Sequence, residues 1–165
     1  MLVKTLLAIS SLFMFYGLLK FAWICDDAFF TLRAALNFNH GLGPVWSPGQ
    51  RLQSFTNPLW MFLMSIHLFG LSNQVFMLSL FFILLSLLLL YRLSITQNSQ
   101  KSLLVLMVIL ISSKTFLTFS FSGLETPLTF FLLTANGLLY YSEKSSLKKQ
   151  AYLSLLLGAY ILEPS

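Results

Sequence analysis

Asp26 and Asp27 are adjacent carboxylates in a chain that has only five Asp and Glu among 165 residues. They follow the first apolar segment and open the stretch Asp26-Asp-Ala-Phe-Phe-Thr-Leu-Arg33. Carboxylates close to hydrocarbon are costly unless paired or hydrated, so they are functional candidates by default. The competing reading is a solvated flank that ends a helix. A third acid, Glu125, sits in Ser122-Gly-Leu-Glu-Thr-Pro127, bracketed by a glycine and a proline at the mouth between two apolar segments. It reads either as a helix N-terminal charge favoured by the dipole or as a carboxylate facing the first pair across a cavity. Arg33 lies about two helical turns beyond the aspartates, and Arg51 follows in the next loop. Each offers the forked hydrogen bonds that hold a phosphate, or a solvated headgroup contact.

The elements that must position these groups are apolar. The sequence is 57% hydrophobic and 9% charged, and its apolar runs approach the ~20 residues that carry a helix across ~30 Å of hydrocarbon. This composition excludes a soluble domain. The net charge of +5 comes from Lys and Arg in short loops between apolar segments, where such residues set membrane orientation. No basic, aromatic-interleaved face for nucleic acid is present. The single Cys25 excludes an intrachain disulfide, and no metal-ligand spacing occurs. His40 and His67 are isolated and read as loop and interfacial residues. No small-x-small cleavage site follows residues 1–24, so they read as an uncleaved first span, with Cys25 ending it.

Spans are expected at about 5–24, 75–91, 103–121, 127–142 and 151–163, with Lys20 reaching outward from the end of the first. The fold class is an all-α polytopic membrane protein in a single domain. Residues 25–74 form a long loop containing a helix over 27–38, in which Asp26 caps the start and Phe30, Ala34 and Phe38 share a face. Gly41-Leu-Gly-Pro44 and Ser47-Pro-Gly-Gln50 read as turns. Residues 58–70 are too short for a comfortable span and read as interfacial, with Trp60 at headgroup level. On that reading Lys4, Arg92, Lys101, Lys144, Lys148 and Lys149 all fall on the cytoplasmic side. Residues 25–74 and 122–126 are then both external. Asp26, Asp27 and Glu125 share one membrane face, although about a hundred residues separate them.

Four stretches carry a family resemblance. They are Asp26-Asp-Ala-Phe-Phe-Thr-Leu-Arg-Ala-Ala-Leu-Asn-Phe38, His40-Gly-Leu-Gly-Pro-Val-Trp-Ser-Pro-Gly49, Arg51-Leu-Gln-Ser-Phe-Thr-Asn-Pro-Leu-Trp60 and Ser122-Gly-Leu-Glu-Thr126. In this order they resemble the N-terminal part of bacterial GT-C glycosyltransferases. The likeness is to the mycobacterial terminal arabinofuranosyltransferase family, and more distantly to the lipid A aminoarabinose transferase and the protein mannosyltransferases. The resemblance implies a GT-C-like helical bundle in the bacterial cytoplasmic membrane, with a cytoplasmic N-terminus. It implies inverting transfer of a sugar from a polyprenyl-phosphate donor to a glycan or lipid acceptor of the cell envelope. Asp26 or Asp27 would be the general base on the acceptor hydroxyl. Arg33 or Arg51 would steady the leaving phosphate, and Thr56 and Glu125 would bind substrate.

Two departures from the family matter. Its members are several hundred residues long with many more spans, whereas this chain stops within its fifth apolar run. Relatives carry an Arg-Pro-Glu-like motif where this chain has Leu162-Glu-Pro-Ser165. The expectation is therefore an incomplete unit that needs further spans, with a second membrane chain as one source of them. The alternative function is a non-catalytic membrane protein, an inert remnant or an assembly subunit.

Overall fold

In the computed structural model the described residues are 2–49, 55–66 and 70–141. Arg51, His67, Lys144, Lys148, Lys149 and the expected last span at 151–163 lie outside them. All regular structure among the described residues is helical: α1 (Leu2–Lys20), α2 (Asp26–Asn39), α3 (Pro58–Ser65), α4 (Leu71–Thr96), α5 (Gln100–Ser112), α6 (Lys114–Phe119) and α7 (Thr126–Tyr141).

The segment expected at 75–91 is a longer helix. At 26 residues α4 is about 39 Å long by the usual helical rise. Within it, Asn73–Thr96 is the one described segment long and apolar enough to cross a membrane. Polar residues extend the helix because they bond back into it: Ser94 and Thr96 donate to the carbonyls of Tyr91 and Leu93 at 2.8 and 2.9 Å.

The first expected span ends earlier than residue 24. Phe21 N–H still donates to Gly17 O at 3.0 Å, but the chain then extends and Cys25 N–H donates to Ser122 O at 2.9 Å. A tertiary bond thus replaces another helical turn. Lys20 sits 5.9 Å from the Tyr16 ring centroid, a cation–π contact along its own helix.

The run at 103–121 is two helices, not one. Ser113 is extended (φ −82°, ψ 98°), and its hydroxyl accepts from Phe116 N–H at 3.2 Å. A serine that caps the next segment competes with continuation of the previous one. Lys114 starts α6 and is exposed.

α4 and α7 pack side by side in the same direction, with Val75 beside Gly123 at one end and Phe82 stacked on Phe131 at 5.5 Å further along. α1 runs alongside α5 and α6 and antiparallel to α4. Gly17 faces Leu117, while Leu7, Leu87, Tyr91 and Leu103 share one groove. One buried cluster joins α2, α3, α4 and α7 through Leu32, Trp60, Met64, Phe82 and Leu132. A second joins α1, α4, α5 and α6 through Met14, Leu18, Ile83, Met107 and Leu117. This antiparallel packing puts residues 20–26, 70–75 and 120–126 at one end of the bundle. Arg92 and Lys101 lie at the other.

Candidate functional site

The helix bearing the aspartates begins one residue earlier than expected. Asp26 is the first residue of α2, and Cys25 takes the capping position without a side-chain hydrogen bond. The reason is the Cys25 N–H bond to Ser122, which holds Cys25 extended at φ −80° and ψ 160°. Cys25 is buried and starts the second helix rather than ending the first. Asp26 and Asp27 stand exposed in the first turn, where the dipole favours negative charge.

The buried side of α2 consists of Ala28, Leu32, Ala34, Ala35 and Asn37. The expected face of Phe30, Ala34 and Phe38 divides: Ala34 is buried, and the two rings are largely exposed. Those rings pack on loop and helix neighbours instead. Phe30 lies 4.9 Å from Trp46, and Phe38 lies 5.4 Å from Phe62. Asn39 Nδ2 donates to Ser65 O at 2.8 Å and ties the end of α2 to the end of α3.

The loop 122–126 is seated directly on this helix start. Gly123 has φ +88°, a backbone region that glycine occupies without strain. A methyl group there would stand 2.6 Å from Ala28 Cβ and 3.4 Å from Val75 Cγ1. Only glycine therefore lets the loop approach α2 and α4 this closely. The approach is held by two hydrogen bonds. One is Cys25 N–H to Ser122 O. The other is Trp60 Nε1–H to Gly123 O at 2.9 Å, buried.

Trp60 is 1% exposed, packed inside the protein. Asn57 sets it there by accepting from Trp60 N–H at 2.9 Å as the cap of α3, with Pro58 as the first helical residue. The indole then points into the core and needs a partner for its N–H, which the Gly123 carbonyl supplies. Nearby, the buried Gln74 amide donates to Ile66 O, while Gln74 Oε1 and Ser79 Oγ have no hydrogen-bond partner among the described residues.

The sequence-derived residues fall as follows. The neighbourhoods of Asp26, Asp27 and Glu125 meet at one end of the bundle through the contacts of residues 122 and 123 with 25 and 28. Glu125 is half-buried just before α7, and its carbonyl accepts from Thr129 N–H at 3.0 Å. Arg33 is exposed on α2, and Thr56 is exposed just before Asn57. No group of three His, Cys, Asp or Glu among the described residues is arranged to hold a metal ion. Trp60, Gly123 and Asn57 are the shaping residues that sequence reasoning missed; Asn57-Pro58 preceding Trp60 was the available signal, as a cap followed by a helix start. Comparison with protein-family models, with curated proteins and with solved structures finds no match to this chain.

Proposed function

We propose that this chain forms the acid-bearing part of a multi-pass membrane glycosyltransferase, acting on a polyprenyl-phosphate-linked sugar at the external face of the bacterial cytoplasmic membrane. The observation that carries the reading is the seating of the 122–126 loop on the start of α2. It gathers three of the chain's five carboxylates at one end of a helical bundle, beside Arg33.

A membrane setting is supported by the outward surface of the helices. Leu12 (71% exposed), Phe13 (60%) and Ile109 (59%) belong to a belt of large apolar side chains around α1, α4 and α5. Such a belt suits lipid and not water. The position of Arg92 and Lys101 at the end opposite the acids agrees with a cytoplasmic N-terminus under the positive-inside rule.

In this reading Asp26 or Asp27 accepts the proton of the acceptor hydroxyl. The oxygen forms a bond to the anomeric carbon as the bond from that carbon to the phosphate oxygen breaks, and polyprenyl phosphate leaves with the electron pair. Arg33, and Arg51 outside the described residues, would balance the charge that develops on the departing phosphate. Thr56 and Glu125 would hold sugar or acceptor hydroxyls.

The test is Asp26→Asn and Asp27→Asn in the membrane-embedded enzyme, with a radiolabelled sugar on polyprenyl phosphate as donor. One of the two variants should lose transfer by about 10²-fold or more, with membrane insertion unchanged. Near-native transfer by both variants would reduce the aspartates to a helix flank and remove the reading.

A further inference from the structure

The exposed side of α2 carries a second arrangement, built by the turn that follows the helix. At about 100° per residue, Asp26, Phe30 and Arg33 fall within roughly 60° of one another around the axis, one turn apart in succession. All three are exposed. Trp46 returns from the turn and packs against Phe30, with ring centroids 4.9 Å apart and planes tilted by 42°. The rings nevertheless remain 39% (Trp46) and 46% (Phe30) exposed. Asn37, buried in α2, fixes that turn through its amide: Nδ2 donates to Val45 O at 2.7 Å and to Trp46 O at 3.0 Å. A buried polar side chain therefore holds a large aromatic ring at the surface against Phe30, one helical turn from Asp26.

We infer that Phe30 and Trp46 form a stacking platform for a neutral sugar ring whose hydroxyls hydrogen-bond to the Asp26 carboxylate. The inference rests on the glycosyltransferase reading and names the part of the surface that holds the sugar. The C–H face of a sugar ring is apolar and packs on the faces of aromatic rings. The hydroxyls at its rim need strong acceptors, and an ionised carboxylate offers acceptor sites only. The other occupant of exposed aromatic rings at a membrane edge is lipid. The neighbours of this pair argue against acyl chains, because exposed charges of both signs, Asp26 and Arg33, flank Phe30 along α2 and pair with hydroxyls, not with hydrocarbon.

The experiment uses the full chain in lipid nanodiscs, with methyl glycosides of neutral pentoses and hexoses as probes. Saturation-transfer NMR should show transfer from aromatic protons to the ring C–H groups of at least one probe. Trp46→Ala should weaken that binding about three- to tenfold, Trp46→Phe should largely retain it, and Asp26→Asn should weaken it without abolishing stacking. Absence of transfer to every probe in the unaltered chain overturns the platform. So does strong quenching of Trp46 fluorescence by brominated lipids, isolated by comparison with Trp46→Phe, since the rings would then face the bilayer. The two readings fail separately. Enzymatic transfer that persists without glycoside binding removes the platform alone; glycoside binding together with near-native transfer by both Asp26→Asn and Asp27→Asn removes the enzymatic reading alone.

Discussion

At the end of the bundle that carries residues 20–26 and 120–126, polar groups bond from one element to another. Cys25 reaches Ser122, Trp60 reaches Gly123, and Asn39 of α2 reaches Ser65 of α3. At the opposite end, Leu7, Leu87, Leu103 and Met107 line a groove of about 300 Å³ between α1, α4 and α5. Hydroxyls there bond back into their own helices, as Ser11 does to Leu7 O and Ser94 to Tyr91 O, both at 2.8 Å. Apolar side chains of α1, α4 and α5 pack along that groove. Such packing tolerates repacking with small losses, whereas a buried hydrogen bond loses its value when one partner is removed. Position is therefore fixed tightly where the acids stand and loosely where they do not, which is the distribution expected if the first end does chemistry and the second only spans.

The largest break in this contrast should come from Gly123→Ala. Its backbone is left-handed and its new methyl group would meet Ala28 Cβ at 2.6 Å. Strain and overpacking together should cost about 2–5 kcal/mol in reversible unfolding from detergent. Adding Ala28→Gly should recover part of that loss, because it removes the struck methyl group. Simple addition of the two single effects would mean that the loop does not touch α2.

A smaller effect is expected from Trp60→Phe. The smaller ring leaves a void, and the Gly123 carbonyl loses its buried donor, a loss that alone costs about 1–3 kcal/mol. Ser11→Ala at the opposite end removes only a bond within α1 and should stay within about 0.5 kcal/mol. Equal losses from these two variants would erase the difference between the ends.

Much of this architecture was legible in the residues. The bounds of α2 followed from its helical spacing and from the glycine turn after it, where Gly41 and Gly43 both have positive φ. The placement of Lys and Arg in loops led to the expectation of one shared membrane face for Asp26, Asp27 and Glu125; the structure brings their segments to one end of the bundle through residues 122 and 123. The number of helices in the run 103–121 did not follow, because hydropathy does not register that Ser113 caps a new segment. The burial of Trp60 did not follow for a related reason: nothing near it in the sequence points to the distant Gly123 carbonyl that receives its indole N–H. The contact of Gly123 with Ala28 has no local signature at all, since it links residues 95 positions apart.

That contact underlies the functional reading, and the natural Cys25 allows it to be measured directly. Cys25 is the chain's only cysteine, and its N–H bonds to Ser122 O at 2.9 Å. In membranes carrying Ser122→Cys, a short thiol-to-thiol linker should join Cys25 to position 122. After protease cleavage between α2 and α3, the two fragments should remain covalently linked, and a Ser102→Cys control at the start of α5, at the opposite end of the bundle, should not link to Cys25. Linkage is the result predicted for a loop seated on the start of α2. Fragments that separate after treatment would contradict it, and would leave the three carboxylates without a common site.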